Sequence, residues 1–195
     1  MNPITHGLIG WSTAAHLASG LSRRDLAFIV AAALAPDLDG LGIVAELATR
    51  SSERPLLWWS EYHHTFGHNL PFAVALSGAA WLVTRRAVVA LLVLLNVHLH
   101  LLGDLVGARG PDGSQWPIPY LWPFSESPQL TVSWQWALNA WPNLLISLLL
   151  LAHLFWLAWA SGVSPLGLVS TRANAALVKA LQDRFPSVDS TIDVP

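Results

Sequence analysis

An almost wholly apolar run near the middle of the chain carries two ionisable side chains close to its end. The run reads AVVALLVLLNVHLHLLGD from Ala87 to Asp104. A helix of this length can cross a bilayer, where an ionisable side chain costs at least about 2.5–3.5 kcal/mol. His100 and Asp104 are four residues apart, so they project from one helix face, roughly 6 Å apart along its axis. The pair is therefore either a buried hydrogen bond or two ligands of one divalent cation.

The composition places the chain among membrane proteins. Of its 195 residues, 53% are hydrophobic and 11% are charged, whereas soluble domains are about 25% charged. The absence of cysteine excludes disulfides and thiolate zinc sites, which leaves histidine and carboxylate as metal ligands. A formal net charge of −2 gives no support for nucleic acid as a partner, so the expected partner is the lipid bilayer.

The hydropathy pattern predicts an all-α fold, a polytopic membrane helix bundle with about five apolar helices and a Trp-rich loop region after the fourth. The five segments run over about Thr5–Leu21, Asp25–Leu47, Pro71–Thr84, Ala87–Val106 and Pro142–Ser161. Thr5 is placed to cap the first segment, and Pro36 interrupts the second, which favours two short helices there. The first and third segments are short for a crossing, so they predict tilted or partial spans.

Two regions follow from this pattern. Residues 1–164 are expected to form the membrane-embedded metal-site domain, and residues 165–195 an amphipathic or polar C-terminal tail. The amphipathic piece of the tail spans Thr171–Phe185, and the polar end after it is expected to fray.

The distribution of basic residues predicts how the bundle is oriented in the inner membrane. The basic residues on one side of a five-crossing arrangement are Arg23, Arg24, Arg85, Arg86, Arg172, Lys179 and Arg184. Those on the other side are Arg50, Arg54 and Arg109. The bias predicts a cytoplasmic C-terminus. It places the loops near residues 45–70 and 105–141 outside, in the periplasm if the cell is Gram-negative.

Polar side chains collect at the outward ends of four of the predicted segments. They are His6, Asp37, Asp39, His63, His64, His68, His100 and Asp104. Each has a simpler interpretation by itself: turn chemistry at Asp37, an interfacial loop around His64, or a helix start at His6. Four separate stretches nevertheless bring imidazoles and carboxylates to one layer, and this convergence predicts a metal site.

The residue types indicate roles within that site. The expected ligands are His6, Asp37, His68, His100 and Asp104. His63 and Asp39 are further candidate ligands or bridges, and Asp39 and His64 are candidates for the general base or for orienting water. Mixed N/O ligands suit Zn²⁺, with Mn²⁺ or Fe²⁺ as alternatives. The ligands exceed what one tetrahedral zinc needs, so we expect one or two ions, a pair being about 3.5–4 Å apart.

Three other histidines do not join this set. His98 lies about 200° around the helix from His100, so it faces a supporting residue or the lipid interface. His16 lies about three turns beyond His6, too deep to share the site. His153 is a lone imidazole in the middle of the fifth segment, where a packing or relay role is expected. No second polar group marks an exit route for a transported ion.

The order of these motifs resembles one known family. His6, LAPDLD over residues 34–39, the His63-x4-His68 loop and His100-x3-Asp104 recur in this order in the YdjM-like family of inner-membrane metal-dependent hydrolases. The stretch PIPYLWPFS over residues 117–125 also looks like that family's segment after its His-x3-Asp motif. The resemblance covers about residues 5–125. The family is distantly similar to zinc-dependent phospholipase C, an all-helical enzyme with a His/Asp metal cluster.

The histidine loop departs from the family pattern His-Arg-Gly-x-Thr-His-Ser. This chain has HHTFGHN over residues 63–69, so His64 stands in place of the arginine and Gly67 in place of the threonine. The resemblance therefore supports the metal site more strongly than a substrate-phosphate contact carried by that arginine.

These observations predict a membrane-bound hydrolase that cleaves a phosphoester of a lipid or lipid-linked substrate with metal-activated water. Substrate would enter from the lipid–water boundary. The tryptophans of the stretch Trp116–Trp141, among them Trp122, Trp134 and Trp136, either hold this mouth at the interface or simply anchor the protein.

Other function classes are less well supported. The chain has no His-Glu-x-x-His, Gly-x-Ser-x-Gly, P-loop or dinucleotide-binding pattern, which disfavours zincin proteolysis, serine hydrolysis and nucleotide-driven transport. The remaining alternatives are a divalent-metal transporter, for which a helix broken at Pro36 is typical, a metal sensor or binder, and a protein that keeps the metal for structure only.

Overall fold

The computed structural model describes residues 1–110 and 113–186, and these residues form a helical bundle. Its helices are α1 (Pro3–Leu17), α2 (Arg23–Ala32), α3 (Gly42–Thr49), α4 (Trp58–Tyr62), α5 (Leu70–Thr84), α6 (Ala87–Gly107), α7 (Trp141–Ser161) and α8 (Thr171–Arg184). Two 3₁₀ helices span Pro36–Leu41 and Pro165–Leu168. The short strands β1 (Ile118–Pro119) and β2 (Gln129–Leu130) pair antiparallel, Ile118 opposite Leu130. The all-α prediction is confirmed, with this hairpin as its one small addition among the described residues.

Two or three parts of the chain are long and apolar enough to cross a membrane. The helices α6 and α7 have 21 residues each, close to the roughly 20 that a bilayer requires. The segment α2 with Pro36–Thr49 is a third candidate, bent by 62°. The predicted break at Pro36 is therefore confirmed. Because α1 and α5 have only 15 residues each, the length of the helices does not establish the predicted number of five.

The helix α6 is central and packs against α1, α2 and α5, while α7 packs on the far side of α1. The backbones of α1 and α2 approach closely, since a Cβ atom on Gly10 would lie 2.6 Å from Ala33 Cβ. Contacts between helix ends show that the starts of α1, α5 and α7 lie at the same end of the bundle as the ends of α2 and α6.

The start of α1 differs from the prediction. Asn2 is its capping residue, because Asn2 Oδ1 accepts a hydrogen bond of 2.9 Å from the Thr5 backbone N–H. Pro3 occupies the first turn, where its missing N–H costs nothing. The prediction that Thr5 caps the helix was wrong; Thr5 Oγ1 instead lies 2.5 Å from Ser147 Oγ on α7. The helix ends at Leu17 rather than at about residue 21, and a turn follows.

The end of the bundle away from these helix starts carries the arginine turns. Arg23 donates two hydrogen bonds to the Leu168 carbonyl oxygen, and Arg86 lies 3.3 Å from Asp25. The helix α8 packs on α7 and on the second 3₁₀ helix. The polar end that we expect to fray, residues 187–195, lies outside the described residues.

Candidate metal centre

Four side chains meet in one group where α2, α5 and α6 come together. They are Asp37, His68, His100 and Asp104, and each offers one ligand atom within 4.8 Å of the others. Asp104 Oδ2 lies 3.0 Å from His100 Nε2 and 3.2 Å from His68 Nε2. His100 Nε2 lies 3.1 Å from His68 Nε2 and 3.6 Å from Asp37 Oδ1. These spacings suit a cation, because a tetrahedral ion with bonds of about 2.0–2.1 Å separates its ligands by roughly 3.3 Å.

Hydrogen bonds behind the two imidazoles direct their Nε2 atoms into this group. His100 Nδ1 contacts the Ala33 carbonyl oxygen at 2.8 Å, so it must be the donor. His68 Nδ1 likewise donates to Asp39 Oδ2 at 3.0 Å. A neutral histidine that donates from Nδ1 presents a lone pair at Nε2. Two Nε2 atoms therefore face each other and the Asp104 carboxylate, an arrangement that requires protons or a metal ion.

Asp37 has an unmet need for a positive partner. Its Oδ2 atom is buried and has no hydrogen-bond partner among the described residues, and a buried carboxylate oxygen without a partner is costly. The break at Pro36 starts the 3₁₀ helix that presents Asp37 to His100. Two imidazole nitrogens and two carboxylates are a donor set that fits Zn²⁺, Mn²⁺ or Fe²⁺.

His6 enters from α1 and approaches the other oxygen of Asp104. Its Nε2 lies 3.1 Å from Asp104 Oδ1, which the amino group of Met1 also contacts. The His6 ring stacks on His100 with centroids 3.7 Å apart, and its Nδ1 is buried without a partner among the described residues. Asp104 thus presents one oxygen to His68 and His100 and the other to His6. The role of His6 as a ligand stays a prediction.

Asp39 lies behind the histidine loop, outside the four-residue group. Its Oδ1 accepts from His63 Nδ1 at 2.9 Å, and its Oδ2 accepts from His68 Nδ1 and, at 3.3 Å, from the Gly67 backbone N–H. An outer carboxylate of this kind orients a ligating imidazole and increases its basicity. The predicted roles of Asp39 as a base and of His63 as a ligand stay predictions.

The two carboxylates on either side of His68 control its protonation. Burial lowers the pKa of this imidazole, but the hydrogen bonds and charges of Asp104 and Asp39 outweigh burial and raise the pKa to about 9. A cation that binds at Nε2 must displace this proton. Metal binding is therefore expected to weaken as the pH falls below that pKa.

His64 lies between the four-residue group and solvent-accessible space. Its φ of 67° is in the left-handed region, which residues other than glycine seldom occupy. The ring stacks on His68 with centroids 4.3 Å apart, and Nε2 lies 3.9 Å from Asp104 Oδ2. Burial and the charge of His68 hold the pKa of His64 well below its usual value, so the ring is neutral. Its Nδ1 is buried without a partner among the described residues.

Polar side chains after α6 close the helix end that carries Asp104. Gln135 Nε2 donates to the Asp104 carbonyl oxygen at 2.9 Å, and Asn143 Nδ2 donates to the Gly107 carbonyl oxygen at 2.8 Å. The last carbonyl groups of a helix have no intrahelical donors, so these bonds fix its final turn. Sequence reasoning missed both residues, and the only signal was an amide side chain on each side of an apolar, tryptophan-rich stretch.

A cavity of about 600 Å³ opens beside His63 and His64. Its walls carry Trp59, Trp116 and Trp122 together with polar side chains such as those of Ser60, Glu126 and Gln129. Among the described residues that line it, none is lysine or arginine.

The tryptophans of the stretch after α6 therefore differ in their surroundings. Trp116 and Trp122 form cavity walls. Trp134 is 61% exposed, as an interfacial anchor would be, and Trp136 donates from Nε1 to Asn143 Oδ1 at 2.8 Å.

The histidines outside the predicted site lie away from it. His98 Nε2 contacts Tyr120 Oη at 3.0 Å and so holds the loop after α6, a supporting position. His16 and His153 meet between α1 and α7, with their Nε2 atoms 2.8 Å apart. Nothing in the sequence pattern pairs these two residues, which are 137 positions apart.

The motifs that converge on this centre also occur together in a known family. A family model described as YdjM inner membrane protein matches residues 1–181. This chain belongs to the YdjM inner membrane protein family. The match spans all eight predicted site residues and every described transmembrane candidate. No curated protein and no solved structure matches the chain significantly. As a member of the YdjM family with apolar helices of membrane-spanning length, the chain is an inner membrane protein.

Proposed function

We propose that this protein is a membrane-bound, metal-dependent hydrolase that cleaves a phosphoester of a lipid or lipid-linked substrate. The observation that carries the proposal is the convergence of two imidazole Nε2 atoms and two carboxylates beside a cavity of about 600 Å³. A largely buried donor set next to a cavity of this size is the arrangement in which metal ions and perturbed side chains serve catalysis.

The proposed ligands of one ion, for which Zn²⁺ is the best fit, are Asp37, His68, His100 and Asp104. The contact of His6 with Asp104 Oδ1 supports a second ion, with Asp104 as the bridge. When bound, a divalent cation lowers the pKa of water towards 7 and stabilises the leaving oxygen of a phosphoester. Since neither lysine nor arginine is among the described residues that line the cavity, the metal centre must neutralise the charge of a bound phosphate.

His64 is the side chain best placed to accept a proton in this reaction. It lines the cavity, its ring is neutral, and Nε2 lies 3.9 Å from Asp104. Asp39 is better placed to position His63 and His68, because both of its oxygens already accept hydrogen bonds from them.

Hydrolysis of bis(p-nitrophenyl) phosphate tests the proposal. We expect the purified protein to release p-nitrophenol when loaded with Zn²⁺, Mn²⁺ or Fe²⁺. We expect His64→Gln to be slower by about 10²- to 10⁴-fold at equal metal content, the usual contribution of a general base. His98→Gln is the matched control, because His98 contacts Tyr120 and not the cavity. No hydrolysis with any of the three ions would contradict the proposal, and equal rates for His64→Gln and wild type would remove His64 from it.

A divalent-metal transporter is a second candidate, favoured by the His16–His153 pair. This pair lies about 15 Å further along α1 than His6, at 1.5 Å per residue, and between the same two helices that pack beside the centre. Zn²⁺ uptake into proteoliposomes distinguishes the candidates. A transporter would lose uptake in His16→Ala and His153→Ala, whereas a hydrolase would show no uptake and would hydrolyse the diester at the wild-type rate in both variants.

The orientation follows from the arginine turns, and it can be tested because the chain contains no cysteine. We propose that the metal centre faces the periplasm and that α8 lies in the cytoplasm. A membrane-impermeant maleimide is expected to label Ser127→Cys in intact spheroplasts, and Lys179→Cys only after permeabilisation. Both positions are exposed in the structure. The reverse pattern would contradict the orientation.

A further inference from the structure

A second cavity, of about 420 Å³, lies on the other face of the short helix α4. Trp59, Ser60 and His63 line the first cavity, whereas Trp58 and Tyr62, four residues apart on α4, line the second. The helix α4 and the loop after it therefore form a partition between the two cavities. We call the first the head cavity and the second, lined by Asp39, Gly42, Trp58, Tyr62 and Phe66, the tail groove.

The two cavities have opposite chemistry. Apart from Asp39, the tail groove is walled by a glycine and three aromatic side chains, while the head cavity contains hydroxyl, amide and carboxyl groups such as those of Thr65, Gln129 and Glu126. The Asp39 carboxylate is engaged by His63 and His68, so it marks the end of the groove that lies nearest the metal centre. A ligand that fills both cavities must be polar at one end and apolar at the other.

The cavities adjoin closely enough for one molecule to occupy both. The Phe66 ring, on the wall of the tail groove, contacts the Trp122 ring of the head cavity, with centroids 4.9 Å apart. Asp39 Oδ1, at the end of the groove, lies 2.9 Å from His63 Nδ1, at the wall of the head cavity. The boundary between the two spaces is therefore one side chain thick, and it lies beside His68 and Asp104.

The tail groove is continuous with an apolar surface that the bilayer can cover. Leu38, Leu41 and Val44 follow one another at intervals of three residues on the 3₁₀ helix and α3, and they are 62–63% exposed. Gly42, within this run, also lines the groove. A Cβ atom on Gly42 would lie 2.8 Å from the Trp58 carbonyl carbon, so glycine allows α3 to approach α4 and close the groove. In an inner membrane protein such an exposed apolar ridge meets lipid, because its transfer from water is favourable.

We propose that the tail groove binds the hydrocarbon chain of an amphiphilic substrate whose polar head occupies the head cavity and whose phosphoester lies at the metal centre. This inference rests on the proposed hydrolase function and adds the side chains that select the tail. Tyr62 and Phe66 are the specificity-determining residues, since their rings lie 5.2 Å apart along the groove and neither belongs to the metal centre.

The test uses p-nitrophenyl alkyl phosphodiesters with alkyl chains from methyl to octyl, and the full-length metal-loaded protein in detergent. Each buried methylene contributes about 0.8 kcal/mol, so kcat/KM is expected to rise about fourfold per methylene until the groove is filled. In Phe66→Ala and Tyr62→Ala this rise should flatten, while the methyl diester is cleaved at the wild-type rate. Phe124→Ala is the matched control, because Phe124 is 85% exposed and lines neither cavity.

Binding measured without turnover provides an independent check. Calorimetry with non-hydrolysable alkyl phosphonates of the same chain lengths should show the same fourfold steps in Kd for wild type and reduced steps for both groove variants. A chain-length dependence that is absent, or that is unchanged in both variants, would overturn the tail groove while methyl diester hydrolysis still supports the hydrolase. Phosphonate binding with the expected steps but no hydrolysis of any diester would instead overturn the proposed function.

Discussion

Asp104→Asn is expected to abolish stoichiometric metal binding. The substitution keeps the shape of the side chain but removes the charge that one oxygen presents to His68 and His100 and the other to His6. Changes behind a metal ligand already weaken binding by about 10–100-fold, so loss of a shared carboxylate should cost at least about 100-fold. The measurement is metal content by mass spectrometry after dialysis, together with a Zn²⁺ titration of the stripped protein.

A matched control separates loss of charge at the site from loss of any aspartate. Asp183→Asn makes the same chemical change on α8, where Asp183 is exposed and pairs with Lys179, and it should leave metal content unchanged. His100→Ala is expected to behave like Asp104→Asn, and His98→Ala, on the same helix, like wild type. Wild-type metal content in both Asp104→Asn and His100→Ala would exclude the site.

Gly67→Ala is expected to detach the histidine loop from the turn at Pro36. A Cβ atom at this position would lie 2.6 Å from Pro36 Cα and would also overlap the Pro36 carbonyl oxygen. Neither atom can move away as a flexible side chain would. Overpacking of this kind costs about 1–3 kcal/mol, and the loop can relieve it only by withdrawing His68 from Asp39 and Asp104. We therefore expect a lower Tm in detergent and a loss of the increase in Tm that Zn²⁺ produces in wild type.

Gly78→Ala is the control for this substitution. Gly78 lies on α5, the helix that follows the loop, and a Cβ atom there meets no atom within 4 Å. Alanine favours a helix over glycine by about 0.5–1 kcal/mol, so the Tm should be unchanged or slightly higher, with the effect of Zn²⁺ intact. If Gly67→Ala retained a full stabilisation by Zn²⁺, the close contact between the loop and Pro36 would not position His68.

Much of the helical architecture could be predicted from the sequence. The apolar runs that became α6 and α7 are long enough to be recognised without tertiary information, and the break at Pro36 follows from the missing N–H of proline. The start of α1 could not be predicted as well, because Asn2 and Thr5 are both capping residue types. Only the backbone geometry shows which side chain reaches an unpaired N–H.

The candidate site was predictable as a set but not as an arrangement. The eight polar residues stand out because each ionisable group in an apolar segment is costly, and that cost is visible locally. Which oxygen of Asp104 faces His6, and which faces His68 and His100, depends on how α1, the histidine loop and α6 pack. The same holds for Asp39, which lies behind the histidines.

The sequence by itself determined that this chain has apolar helices, that they suit a membrane, and that imidazoles and carboxylates lie at their ends. Hydrophobic length, proline breaks and the cost of buried charge are properties of short segments. The tertiary structure alone decided the order of contacts at the metal centre, the meeting of His16 with His153, and the two cavities separated by α4. These features depend on distances between segments far apart along the chain, and packing sets those distances.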